Sequence, residues 1–495
     1  MSARTPSPTF RSFVARNYRL FFAGALVNNV GTWMGRTAQA WLVLTELTDH
    51  DAAALGIVTA LQFLPVLMLV GVSGVIADRF PKRVVLSCTQ AGLAIVQAAT
   101  AALVLTGTAT LPVIYLLTFL YGVAAAIDAP ARQAFVSEVV GPDLLSNAVG
   151  LNSANFNTAR MIGPALAGLL IAVLGTGWVF VIDAVSVAAM IVCLWVMDPR
   201  ALRPSPQRRG RGGVREGLAY VAGRPDIILI LVVVFVHGTF GMNFQITTAL
   251  MATTVFEKGP GEFGLLGSIM AVGSLWAALL TARRAQPRLA VVLGGLAAFV
   301  VASLAAALAP NYWTFAILLV PVGLTAMTIL PTANSLVQLA VEPAMRGRVM
   351  ALYLAIFMGG TPLGAPLIGW IGATWGARWT ILVGSIADGL LLVGILVYLV
   401  RRHPDLLARR LPRLRLLTQM VRYGRIDVAG NRPAQQEVDS DEPALPADDR
   451  AGGVGGDAAR RGPRSASVGA AQGRCSTTAS TQATSARTSS GCTAG

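Results

Sequence analysis

Arg36 and Arg160 stand inside long apolar runs, where a charge is costly and marks function by default. Amides share those runs: Asn28, Asn29 and Gln39 accompany Arg36, Gln62 lies in the next run, Asn152, Asn155 and Asn157 precede Arg160, and Asn243 and Gln245 follow farther on. Two guanidiniums with a set of amides can line a cavity for a small molecule bearing acidic or hydroxyl groups. The bland alternative for Arg160 is a pairing with a helix end or an acid of the fold. Two titratable groups are candidates for carrying a proton: Asp128, one helical turn before Arg132, and His237, because imidazole is the side chain that ordinarily titrates near neutral pH. A lone histidine in a helix is otherwise a packed, hydrogen-bonded ring. Asp183 and Asp388 are also embedded in apolar runs. The three histidines are scattered and form no cluster with Cys or Glu, so neither a metal site nor a cofactor is expected. Lys82 and Lys258, the only lysines, sit in no nucleotide-binding loop, and no catalytic constellation appears.

The elements that carry these residues must cross lipid. The 495 residues are 54% hydrophobic and only 13% charged, about half the charge of a soluble domain, and mean hydropathy is +0.63 despite a polar tail. Twelve apolar segments can be drawn at 18–44, 54–77, 84–106, 112–133, 148–174, 177–198, 226–254, 262–283, 289–308, 312–335, 349–372 and 377–400. Helices of about 20 residues satisfy every backbone group in hydrocarbon, so the expected fold is all-α and integral to the membrane. Net charge is +15, which in a soluble protein would point to nucleic acid. Here the bases sit in loops, and no nucleic-acid partner is expected. With the N-terminus inside, Arg4, Arg11, Arg16, Arg19, Arg79, Lys82, Arg83, Arg132, the seven arginines from Arg200 to Arg224, Arg283, Arg284, Arg288, Arg346 and Arg348 all fall inside; only Lys258 and Arg378 fall outside. That asymmetry predicts a multi-pass protein of the cytoplasmic membrane with both termini cytoplasmic, its basic loops against an anionic inner leaflet.

The resulting organisation is an N-terminus at 1–17, a six-helix bundle at 18–198, a central loop at 199–225, a second bundle at 226–400 and a tail at 401–495. Residues 401–425 carry eight arginines among leucines, in keeping with an interfacial helix or a charge cluster followed by coil, and the composition from about 430 onward is that of disorder. Cys88 and Cys193 lie in apolar runs and Cys475 and Cys492 in the tail, so no disulfide framework is expected. The two bundles are internally related. A shift of 201 superposes residues 130–178 on 331–379 with identities that include Pro130/Pro331, Gly163/Gly364, Gly168/Gly369, Gly175/Gly376 and Trp178/Trp379. A shift of 207 pairs Gly31-Thr32 with Gly238-Thr239. Two parallel six-helix halves about a midplane site are a transporter plan.

Between the second and third runs stands Gly74-Val-Ile-Ala-Asp78-Arg79-Phe-Pro-Lys82-Arg83. This stretch resembles the cytoplasmic signature of the major facilitator superfamily, with Pro81 where Gly is usual. A second stretch carries Asp128, Pro130, Arg132, Gln133, Asn147, Asn152, Asn157, Arg160, Gly163, Pro164 and Gly168. It is similar to the enterobactin-exporter and macrolide-efflux branch of drug:proton antiporters. The resemblance covers residues 10–400 and implies the major facilitator fold, twelve helices in two pseudo-symmetric bundles. It also implies a gate in which Asp78 faces the positive N-terminus of span 11 near Arg348 while Gly74 permits close approach. Asp183 and Asp388 fall on spans that are peripheral in the superfamily, which favours a structural role. Exchangers of the superfamily often carry an Arg ahead of a Gln-Gly pair on span 4; Thr118 and Tyr121-Gly122 occupy those places here.

The function expected is secondary active transport: proton-coupled export of a small amphiphilic molecule, drug-like or siderophore-like, by alternating access from a monomer. An uptake symporter on the same scaffold is the alternative. A membrane-embedded enzyme would need an in-membrane Asp-rich or His-centred cluster, which the sequence does not offer.

Overall fold

A computed structural model of the chain describes residues 8–203, 214–283, 286–343 and 345–402; these are almost wholly helical and contain no strand. The first half comprises α1 (Arg16–Trp41), α2 (Ala52–Arg79), α3 (Lys82–Leu105), α4 (Leu111–Val140), α5 (Pro142–Leu174) and α6 (Thr176–Val196). A short helix, α7 (Val214–Ala222), belongs to the connection between the halves. The second half comprises α8 (Pro225–Val236) and α9 (Phe244–Leu250), which together make one interrupted span, then α10 (Pro260–Ala282), α11 (Leu289–Ala307), α12 (Tyr312–Ala340), α13 (Arg346–Trp375) and α14 (Ala377–Arg402). Eleven of the twelve spans are long and apolar enough to cross a membrane by composition. The other is α1, whose 26 residues reach about 39 Å and whose hydropathy is lowered by Arg16, Arg19, Asn28, Asn29 and Arg36. It completes the first bundle by packing between α5 and α6.

Two details depart from the expected spans. Helices α4 and α5 run on to Val140 and back to Pro142, so Gly141 alone joins them; its φ of 73° is the left-handed region that glycine tolerates, and Pro142 opens the next helix. The stretch 226–254, expected to be continuous, is interrupted by a π turn at His237–Gly241 and by non-helical Met242 and Asn243. Arg4, Arg208, Arg209, Arg211, Arg284, His403, Cys475, Cys492 and the whole tail from 403 lie outside the described residues.

The charges sort the molecule into a basic end and a far end. Arg79, Lys82, Arg83, Arg132, Arg346 and Arg348 lie at one end, with the chain termini of the helical body; the far end carries Glu46, Asp49, Asp51, Glu257 and Glu262. One far-end exception has a local reason: Arg378 donates to the carbonyls of Ala307 (2.7 Å) and Ala309 (3.0 Å), closing the C-terminus of α11. Exposed Trp178, Trp313, Trp370, Trp375 and Trp379 gather at the far ends of their helices, as an aromatic belt does.

The internal repeat is visible in the contacts. Gly175 and Gly376, paired by the shift of 201, make the same positive-φ turn (86° and 93°) between the fifth and sixth spans of each half. The halves meet along two equivalent seams, α2 with α13 and α5 with α10. A Cβ on Gly168 would lie 2.3 Å from the Pro260 carbonyl, and one on Gly264 would lie 2.2 Å from that of Pro164. At the other seam the corresponding distances are 2.5 Å from Gly56 to the Ala365 carbonyl and 2.5 Å from Gly369 to that of Ala52. Small residues let backbones touch where lipid offers no hydrophobic drive. Pro164 therefore sits at a seam, where α10 covers the helix bend that a proline imposes.

Candidate functional site

All of these close approaches lie toward the far end. Toward the basic end, Gly71, Gly74, Gly150 and Gly347 would meet nothing within 4 Å even with a Cβ added. The described state is thus sealed at the far end and parted at the basic end. Trp33 of α1 stands beside the start of the α5–α10 seam. Its neighbour Gly163 packs against it, with a virtual Cβ 2.5 Å from the Trp33 Cβ, and the α5–α10 seam begins at the next residue, Pro164.

Both embedded cations converge on this tryptophan. The Arg36 guanidinium lies 5.2 Å from the indole centroid and 5.7 Å from that of Phe63; the Arg160 guanidinium lies 5.6 Å from the same indole. Among the described residues neither pairs with a carboxylate. Arg160 Nη1 reaches only the sulfur of Met327 on α12, at 3.4 Å, and Arg36 Nε is buried with no partner. Gln245 of α9 donates to the Arg36 carbonyl at 2.8 Å, so the site spans both halves. Arg36 also lines a polar pocket inside the first half with Gln39, Gln62, Gln97 and Tyr121.

Of the amides expected in the cavity, several are occupied in the framework instead. Gln39 bonds Thr118, Asn152 accepts from the Tyr18 hydroxyl, and Asn157 bonds its own helix at Ser153; Asn147 of the second motif likewise receives the Ser12 backbone and hydroxyl. Asn155, which also receives Asn29, donates to the Phe22 carbonyl. Asn28 and Asn243 each keep a buried, unpartnered amide oxygen. Gln133 is exposed and Pro130 lies within α4.

The gating residues are apart in this state. Asp78 and Arg79 are exposed, and Asp78 makes no hydrogen bond or ion pair among the described residues. The expected approach of Gly74 and Asp78 to span 11 is not made because the halves separate at this end. Arg348 at the start of α13 pairs instead with Glu216 of α7, at 3.0 Å. The remaining bases brace the first half: Lys82 pairs with buried Glu138 at 3.4 Å, and Arg83 donates to the Trp195 carbonyl at the end of α6. Glu138 escaped the sequence reading because nothing in its surroundings announces a partner 56 residues away in the chain.

The candidate proton carriers differ sharply in their surroundings. Both oxygens of Asp128 are taken: Oδ1 accepts from Thr89 (2.9 Å) and Gln90 (2.8 Å), and Oδ2 from Arg132 (2.9 Å). A proton arriving there would displace one of three donors. His237 Nδ1 lies 2.7 Å from Asp388 Oδ2, and both side chains are fully buried. Asp388, on a span expected to be peripheral and with a structural role expected of it, is turned into its bundle, as is Asp183, which is held by Gln97 and Ser186. The tertiary pairing of α14 with the π turn makes the difference.

Comparison with known proteins fits this architecture to a lineage. Residues 7–422 match the family described as transmembrane secretion effector, of the major facilitator superfamily. The chain belongs to that family. Among its relatives, the multidrug efflux pump Tap of Mycolicibacterium fortuitum is 27% identical over 78% of this chain and 96% of its own length. The enterobactin exporter EntS of Shigella boydii is 25% identical over 77% and 91%. The staphyloferrin A transporter of Staphylococcus aureus is 27% identical over 53% of this chain, and the match spans 66% of that protein. Solved structures share the fold at lower identity: an inward-facing bacterial homologue of the lysosomal transporter Spinster has a TM-score of 0.62 at 14% identity, covering 79% of this chain and 96% of that one. A D-xylose-proton symporter reaches 0.59 at 12%, covering 77% and 96%. This member of the major facilitator superfamily is therefore a multi-pass membrane transporter and not an enzyme.

Proposed function

We propose that this transporter is a proton-driven exporter of small amphiphilic molecules bearing acidic or phenolic groups, set in the cytoplasmic membrane with both termini in the cytosol and working as a monomer. The observation that carries the reading is the pair of guanidiniums on Trp33, neither of them ion-paired with a carboxylate among the described residues. Cations on an indole face with free N–H groups suit a ligand that brings its own anion and an aromatic or apolar body. Exporters of siderophores and drugs among the relatives support the outward direction. The concentration of arginine at the end that is open here supports the cytosolic assignment of that end.

The test uses respiring everted vesicles, acid inside, with a fluorescent reporter of the pH gradient. Catecholate and carboxylate chelators added outside should collapse the gradient, enter the vesicles, and fail to enter once an uncoupler is present. Accumulation confined to right-side-out vesicles would overturn the direction, and a response to cationic drugs alone would overturn the substrate class. In the same assay Asp78→Asn should reduce uptake to the background of vesicles lacking the transporter while membrane levels stay normal. The basis is that an ionised group is needed to face the positive end of α13 when the basic end closes. Unchanged uptake would remove Asp78 from the gate.

A further inference from the structure

We infer that His237 and Asp388 form a buried proton-binding pair, through which the second half couples proton entry to the seam and to the cation site. The role rests on the proton-driven reading above; the binding of the proton does not. With α8 rising about 1.5 Å per residue from Pro225, His237 stands some 18 Å along its span, near the middle, and Asp388 reaches the same level eleven residues into α14. The ring is held by Asp388 on one side and by an edge-on contact with Phe299, centroids 4.7 Å apart. His237 Nε2 and Asp388 Oδ1 are both buried and without partner. A buried polar atom left unpaired is costly, and each of these two is an acceptor open to a proton or a donor.

The proton bookkeeping is simple. In the proposed cycle one proton is held between Nδ1 and Oδ2 throughout. A second adds to the Nε2 lone pair, converting imidazole to imidazolium, and departs from the same atom; no other bond is made or broken. The pair alternates between a net charge of minus one and zero, and an uncompensated buried charge is what the surrounding protein must rearrange to accommodate. Among the described residues no other charged group faces it. α11 carries no titratable residue, Arg346 and Arg348 of α13 and Arg378 and Arg401 of α14 lie at helix ends, Asp226 lies at the start of α8, and the Tyr353 hydroxyl is donated to Leu330.

The location links the proton to motion. His237 opens the π turn, and wide turns of this kind collect at functional sites. The next residues bear on α13: a Cβ on Gly364 would lie 1.9 Å from the Thr239 carbonyl, which also accepts from Asn243 at 2.6 Å. Helix α13 carries the seam glycine Gly369, and Gln245, at the start of α9, holds the Arg36 carbonyl. The duplication supplies a contrast. Gly35 and Gly241 face Asp183 and Asp388 respectively, and under the shift of 207 His237 takes the place of Val30. The first half has the acid, held by amide and hydroxyl, but no imidazole beside it.

The chain has three histidines, so His50→Asn with His403→Asn leaves His237 as the sole imidazole in an otherwise intact transporter. Purified without a histidine tag and labelled with 15N-histidine, it should show a single imidazole that titrates reversibly, with Asp388→Asn shifting that titration. An imidazole that stays in one protonation state over the whole range in which the protein remains folded overturns the pair. In the vesicle assay His237→Gln should lose gradient-driven accumulation while keeping exchange of the same compound across vesicles without a gradient; retained accumulation would overturn the coupling role. Titration without any gradient-driven transport in the unaltered protein would sink the proton-driven reading and leave the pair standing. Gradient-driven transport with a silent imidazole would do the reverse.

Discussion

Arg160→Ala should abolish transport of acidic substrates while the protein still reaches the membrane. The guanidinium sits on Trp33, pairs with no carboxylate among the described residues and reaches Met327 of α12. A cation–π contact is worth about 0.5–2 kcal/mol and a charge-assisted hydrogen bond about 1.5–3 kcal/mol. Their loss together weakens binding by on the order of a hundredfold or more. Arg160→Lys keeps the charge and loses the fork, so it should retain weakened transport. Arg36→Ala should act in the same direction, and the double variant should cost less than the product of the two, because both cations use one indole. Direct binding of a catecholate to purified protein separates the outcomes. Full affinity in Arg160→Ala would end the two-cation site, and failure of the variant to appear in the membrane would make Arg160 a structural residue.

The other large effect is expected at the seam. Gly168→Leu places a side chain where the Pro260 carbonyl would lie 2.3 Å from its Cβ and the Gly261 Cα 3.1 Å away, and backbone cannot yield as a flexible side chain does. Overpacking costs about 1–3 kcal/mol, which between two conformations is roughly 5- to 150-fold in their ratio. The far end should open. With Cys88, Cys193, Cys475 and Cys492 replaced, a cysteine at Ser268, whose hydroxyl receives the Ala165 amide at that seam, should become reactive to an impermeant thiol reagent added from the far side. Gly56→Leu at the equivalent seam should do the same. Gly74→Leu should act oppositely: it meets nothing in the present state and obstructs only closure of the basic end. Identical labelling in Gly168→Leu and the parent would show that the seam does not separate during the cycle.

Some of the site was readable from residue types alone. Arg36 and Arg160 stood out because charge inside an apolar run is rare, whatever its neighbours. Their meeting on Trp33 was not readable, since that depends on the rotation of α1 and α5 about their axes and on the packing of Gly163 against the indole. Asn147 and Asn152 carry the opposite lesson. An amide in a membrane helix gains from a partner, and here they found Ser12 and Tyr18, so Asn147 anchors the N-terminal segment and Asn152, expected in the cavity, is held by α1. His237 was singled out for its chemistry, whereas Asp388 was set aside by its span; the two are 151 residues apart in the chain.

What the sequence determined by itself is whatever acts locally or repeats: the spans, set by hydropathy; the asymmetry of the two ends, set by where arginine falls; and the duplication, whose paired glycines recur at Gly163/Gly364 and Gly168/Gly369. Tertiary structure alone decided which end is sealed, which acids are saturated and which keep an open atom, and that the seventh span breaks at His237. Those outcomes depend on distances between helices far apart in the chain, and a buried polar group takes its meaning from the partner that packing brings to it, or fails to bring.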